Sequence, residues 1–148
     1  VDARFERTVV ARDAGDPDAQ AADGLREMGL KPSALLSSPY VRAVQTGEIV
    51  CESLGIDPKQ LRATDALKPE AKPMRLAEEL SRLPDKEVIC FGHAPHLDNF
   101  IAYAVNAVAP FTALKKAGAA CLEIERFSAL QATLEWLLTA RTLRELQD

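Results

Sequence analysis

A chain of 148 residues is about one domain's worth of polypeptide and buries roughly 68–70% of its unfolded surface, so a single domain spanning residues 1–148 is expected. With 47% hydrophobic and 27% charged residues the sequence has an ordinary globular composition, neither disordered nor fibrous. Its formal charge of −4 excludes a sequence-independent grip on nucleic acid or an anionic membrane, which needs a basic face, so any anion site must be local.

Charges in VDARFERT, where a signal peptide would be apolar, point to a cytoplasmic protein, and a start at Val1 rather than Met points to processing or a fragment. RTVVARDA is β-branched enough for a first strand. In GDPDAQAADGLREMGL, Asp16 as N-cap, Pro17 at the first helical position and Gly29 just past the end predict a short helix. SALLSS predicts a short buried strand, after which Ser38-Pro39 opens a second helix that Gly55 closes. LRATDAL is a further short strand, and PMRLAEELSRL carries apolar residues at 74, 76, 77, 80 and 83, close to helical periodicity. EVICF is a continuous apolar run of the kind buried on both faces of a parallel sheet, and Pro95 starts the helix PHLDNFIAYAVNA. The apolar stretch FIAYAVNAVAPF is broken by Asn106 and is too short for a bilayer span of about 20 residues. AACLEIERF and QATLEWLL predict two last strands, joined as a hairpin, before a polar tail. Strands and helices taking turns imply an α/β fold with a mainly parallel sheet covered by helices. Cys51, Cys90 and Cys121, odd in number and set in apolar runs, read as core thiols in a reducing compartment.

In such sheets ligands bind outside the carboxyl ends of the strands, where helix N-termini also point unpaired N–H groups. Two stretches have this construction. In LLSSPYVRAVQT the strand ends at Ser37-Ser38, Pro39 starts the helix and Arg42 falls in its first turn; in VICFGHAPHL the strand ends at Gly92-His93 and Pro95 starts the helix. Each loop presents a cationic side chain beside a helix N-terminus. Arg42 and His93 are therefore expected to converge and cradle a dianion such as phosphate. Gly92 reads as a place where backbone can approach that ligand closely.

His93 and His96 are the only histidines, which raises a metal pair as a competing reading. Residues three apart share a face only when both are helical. Ala94, before a proline, is pushed to an extended conformation, so His93 projects from the strand end while His96 begins a helix. No cysteine or carboxylate cluster at ligand spacing completes a coordination sphere, Asp98 alone being insufficient, so neither a metal nor another cofactor is expected. His96 reads as a structural or surface residue.

LKPSALLSSPYVRAVQTGEIV followed by VICFGHAPHLDNFIAY resembles the histidine phosphatase superfamily, also called phosphoglycerate mutase-like, and most closely its small bacterial phosphohistidine phosphatases of the SixA type. SSPxxRAxQT fixes seven residue types in ten positions, and GHxP lies where the family would have it; the likeness covers residues 18–138. The resemblance implies a three-layer α/β/α sandwich in which Arg42 clamps the transferring phosphoryl group and His93 stabilises its charge. It also implies an Arg-His motif after the first strand, the histidine being the nucleophile. Here VVARDAG matches the arginine with Arg12 and sets Asp13 where the histidine would stand. The family's LTxxG helix start is missing, and the interval to the SSP motif is short. Arg12, Asp13, Arg42 and His93 are thus the implied catalytic residues, with Arg12, Arg42, His93 and Ser38 on the phosphate.

The implied reaction is two in-line phosphoryl transfers, from substrate to an enzyme histidine and then to water, with no cofactor. Members acting on small sugar phosphates carry an acid and a sizeable insertion. Here residues 55–86 leave room only for a short strand and one helix, and Glu70, Glu78 and Glu79 read as a solvated helix face. An unroofed site suits a phosphorylated histidine on a signalling protein, such as a phosphotransfer domain, as partner, with phosphate or another oxyanion as small ligand. Two alternatives stand beside this: a non-catalytic phosphate-binding module of the same fold, favoured by Asp13, and a small-molecule phosphomonoesterase, which needs an acid the sequence does not single out.

Overall fold

The computed structural model describes residues 6–16, 18–84 and 87–146. Val9, Val10 and Ala11 are all buried, so the middle of β1 (Glu6–Arg12) has no solvent face and lies inside a sheet covered on both sides, with Arg7 exposed near its start. There follow α1 (Ala19–Glu27), β2 (Ala34–Ser37), α2 (Val41–Leu54), β3 (Leu61–Ala63), α3 (Pro73–Ser81), β4 (Glu87–Gly92), α4 (His96–Ala104), β5 (Ala119–Arg126), β6 (Gln131–Leu138) and α5 (Ala140–Glu145). The strands form one sheet in the order β3-β2-β4-β1-β5-β6. β1 to β4 pair in parallel, and β5 and β6 are added antiparallel at one side as the expected hairpin.

Alternation along the strands divides the apolar side chains between two faces. Val10, Leu36, Val88 and Cys90 pack with Leu76 and Leu80 of α3 and with Leu97, Phe100 and Ile101 of α4. Val9, Leu35, Ile89 and Phe91 pack on the other face with Ala21, Ala22 and Leu25 of α1, Val50 and Cys51 of α2, and Leu143 of α5. The result is the expected α/β/α sandwich. Among the described residues no helix is long and apolar enough to cross a membrane.

Several boundaries differ from the sequence reading. The cap of α1 is Asp18 rather than Asp16, its side chain accepting from the Ala21 N–H, while Pro17 lies outside the described residues. α2 starts at Val41 and not at Pro39, because the Ser38 hydroxyl accepts from the Tyr40 N–H at 3.2 Å and holds residues 39 and 40 in a turn. α4 starts after Pro95 and stops at Ala104, short of the expected VNA, with Asn106 in the left-handed region at φ 61°. Both helix-ending glycines are in place, Gly29 at φ 78° and Gly55 at φ 73°, where a Cβ would be strained.

The expected polar tail contains α5, capped by Thr139, whose hydroxyl accepts from the Thr142 N–H. It is anchored by buried Leu143 and by Arg144, which donates to Asp18 at 2.6 Å. Gly24 on α1 makes this docking possible, since a Cβ there would overlap the Leu143 carbonyl. Gly24→Ala, normally favourable inside a helix, is therefore expected to destabilise by about 1–3 kcal/mol, and chemical denaturation of the variant checks this. All three cysteines are free and buried. Burial pushes the Cys51 thiol up to about 11 and the Cys121 thiol up to about 12, so they stay protonated and inert.

Candidate active site

Register decides which side chains meet. Arg12 pairs with Gly92 across β1 and β4, and Ser37 pairs with Phe91 across β2 and β4, so three parallel strands end level with one another. The ladder continues one residue further. The Asp13 N–H donates to Gly92 O at 2.8 Å and the Ser38 N–H to Phe91 O at 2.9 Å, setting Asp13, His93 and Ser38 abreast at the carboxyl edge. Arg42 reaches the same edge from the first turn of α2, whose start is tied to β1 through Thr46: its hydroxyl accepts from the Ala14 N–H at 3.0 Å and donates to Arg42 O at 2.9 Å.

The side chains converge on one carboxylate. Asp13 Oδ2 lies 3.3 Å from Arg42 Nε and 3.5 Å from His93 Nδ1, and Asp13 Oδ1 lies 3.8 Å from Arg12 Nε. Burial pushes the Asp13 carboxyl up. The hydrogen bond from His93 and the charges of His93, Arg42 and Arg12 more than offset this and hold it below its ordinary value of 3.8. The other ring nitrogen of His93, Nε2, sits 2.8 Å from Ser38 Oγ, so Asp13, His93 and Ser38 form one buried chain. When His93 is protonated both ring nitrogens donate, one to the carboxylate and one to the hydroxyl.

Arg42 and His93 thus meet as expected, and Arg12 and Asp13 join them. Ser38, expected beside the phosphate, is fully buried and spends its hydroxyl on His93 and on the Tyr40 N–H, so it positions the imidazole. Gly92 also differs from its expected part: a Cβ there would press on Leu97 and Leu67, so the glycine answers to core packing. Glu79 accepts from the Thr64 hydroxyl at 2.5 Å. Glu70 lies ahead of α3 rather than on it and accepts from the Tyr40 hydroxyl at 3.5 Å, which places it on the rim.

Two contributors escaped the sequence reading. The Tyr40 ring stands 5.2 Å from the His93 ring, covering one side of it. Asp98, in the first turn of α4, accepts from Thr112 Oγ1 at 2.7 Å and from the Leu114 N–H at 3.0 Å, and Leu114 O in turn accepts from Arg12 Nη1 at 2.6 Å. Asp98 therefore fixes Arg12 through one strand of loop. An acid one turn into a helix that follows a GH pair was the available signal.

His96 is buried, not on the surface, and neither ring nitrogen has a hydrogen-bond partner among the described residues. Burial, and then the nearby His93, lower its pKa from 6.5. An unfolded chain binds this proton first. Stability contributed by neutral His96 is consequently lost as pH falls through 6.5 toward the lowered folded value. His96→Phe is expected to lessen the drop in thermal midpoint between pH 7 and about pH 5, as a melting series on both proteins will show. Among the described residues no three His, Cys, Asp or Glu side chains are grouped to hold a metal ion.

No family model matches the chain, and no curated protein matches it. Solved structures do. A protein histidine phosphatase SixA complexed with tungstate superposes with a TM-score of 0.80 over 93% of this chain and 99% of its own, at 18% identity. The chain has the histidine phosphatase fold. A SixA protein from Agrobacterium tumefaciens matches at TM-score 0.68 and 20% identity, over 90% of this chain and 97% of its own. A mycobacterial glucosyl-3-phosphoglycerate phosphatase complexed with VO3 matches at 0.70 and 13%, over 90% of this chain and 99% of its own. The histidine phosphatase fold accounts for the sheet order, the two helical layers and the meeting of strand ends at one edge.

Proposed function

We propose that this chain is a phosphatase of the histidine phosphatase superfamily that binds the phosphoryl group of a phosphorylated histidine on a protein and releases it as phosphate. The observation that carries this reading is the convergence of Arg12, Arg42 and His93 on one point at the carboxyl edge of the sheet. Two guanidinium groups and an imidazole neutralise the three equatorial oxygens of a phosphoryl group in flight, which is most of what catalysis of this transfer requires. In the hydrolysis the water oxygen forms the new bond to phosphorus as the N–P bond breaks. The imidazole nitrogen keeps the electron pair and takes up a proton.

The rim supports a protein-borne substrate. The Arg42 side chain is 62% exposed, and Tyr40 and Val41 beside it are exposed as well, so Arg42 is within reach of a phosphoryl group standing on another protein's surface, with His93 and Arg12 Nε buried behind it. The fold's SixA relatives and the tungstate and VO3 complexes named above point to the same oxyanion chemistry. A second reading, a non-catalytic phosphate-binding module, is favoured by Asp13, a carboxylate where the phospho-enzyme route needs an imidazole.

Phosphate release from a histidine-phosphorylated phosphotransfer domain tests both. Release above the spontaneous rate supports the phosphatase, and retention of the phosphoprotein without release supports the module. A cluster of arginine and imidazole repels a divalent cation, so release is expected to survive excess EDTA and to be inhibited by vanadate. Loss of activity in EDTA that Mg²⁺ restores would reject the mechanism.

A further inference from the structure

We propose that the Asp13 carboxylate is a built-in occupant of the oxyanion site, an internal anion that any phosphate-like ligand must displace or neutralise before it binds. This rests on the oxyanion site argued above and concerns what fills it. An oxyanion there would draw on Arg42 Nε, Arg12 Nε and His93 Nδ1, and each of these faces an Asp13 oxygen. Arg12 Nε is buried and has no hydrogen-bond partner among the described residues, so the Asp13 ion pair at 3.8 Å leaves a donor in reserve. Asp13 itself is buried, and its backbone is pinned by the bond to Gly92 O, so the carboxylate is held in the cluster by the same ladder that builds the edge.

The charged groups facing Asp13 are Arg12 from β1, Arg42 from α2 and His93 from the turn after β4; no acid joins them among the described residues. One carboxylate among these cations leaves less net positive charge for a dianion than the residue list suggests. A ligand approaching the filled site either forces Asp13 outward or binds once Asp13 takes up a proton. The second route makes oxyanion affinity rise as pH falls.

Inorganic sulfate is the suitable probe, since it stays a dianion across the range used. At neutral pH Asp13→Asn is expected to bind sulfate about tenfold more tightly than the parent, because an amide keeps the shape and removes the like charge. The gap should persist from pH 7 to about 5 and narrow as pH is lowered further, toward the range below 3.8 where Asp13 takes up its proton and the parent gains affinity faster than the variant. Calorimetric titration of both proteins, with thermal melts to verify that the variant is folded, reads these effects. If the parent binds sulfate and the folded variant binds it equally or more weakly, the internal anion is refuted and the oxyanion site stands. If the variant does not fold, Asp13→Ser takes its place, and equal or weaker sulfate binding by that folded variant refutes the internal anion. If neither protein binds sulfate or tungstate, the oxyanion site itself is refuted, and this proposal with it.

Discussion

Asp13→His is expected to raise phosphohistidine hydrolysis by about 10²–10⁴-fold over the parent chain, with an acid-labile phospho-enzyme trapped on quenching. The position is set by the sheet: residue 13 follows the last residue of β1, level with His93, and its side chain already lies against Arg42 and His93. A carboxylate there is a weak nucleophile whose charge is spent on its neighbours and which repels an incoming dianion. A neutral imidazole removes the repulsion, leaves Arg12, Arg42 and His93 free for the phosphoryl oxygens, and can hold the phosphoryl group as an intermediate that water then cleaves. Quantifying phosphate release and acid-labile label for both proteins tests this. A parent chain that already turns over as fast as the variant would show that position 13 is not where the nucleophile belongs.

Arg42→Ala is expected to lower affinity for tungstate or phosphate about tenfold to a hundredfold, and Arg42→Lys to recover little of it. A guanidinium offers two donors in a fixed fork to a tetrahedral oxyanion, whereas an ammonium is a point charge on a flexible stem, and charge-assisted bonds of this kind are worth about 1.5–3 kcal/mol. Because the Arg42 side chain is largely exposed, stability should change little, which separates loss of ligand from loss of fold. Titration of both variants together with their melting curves provides the check. A lysine variant close to the parent would mean that charge alone matters at this position.

What the sequence disclosed and what it concealed divide along a physical line. VICF announced a strand buried on both faces, and Gly29 and Gly55 announced helix ends, because each signal is local to a few residues. Arg42 and His93 could be brought together without coordinates, since both follow strands that end at the same edge of a parallel sheet. Asp13 as the anion they share could not: its place depends on the register of Arg12 with Gly92, which no spacing encodes. Pro39 misled about the start of α2 because the Ser38 hydroxyl had a better use for the next N–H. α5 was hidden in a polar segment for a similar reason, as a six-residue helix has little pattern of its own and depends on Gly24, Leu143 and Arg144 meeting α1.

The place of β1 in the sheet bears on how the chain comes off the ribosome. Among the described residues β1 sits between β4 and β5, and both of its hydrogen-bonding edges wait for partners made far later. β2 and β3 can pair early, but until residue 87 is available β1 has no neighbour, and until residue 119 it has only one. A nascent chain must therefore carry Val9, Val10 and Ala11 with unpaired edges until β4 and β5 have been made, a stretch apt to pair with other chains and a natural client for holding chaperones. The carboxyl edge of the sheet is completed by the same late pairing, so the cluster of Asp13 with Arg12, Arg42 and His93 comes into being only when β4 closes on β1.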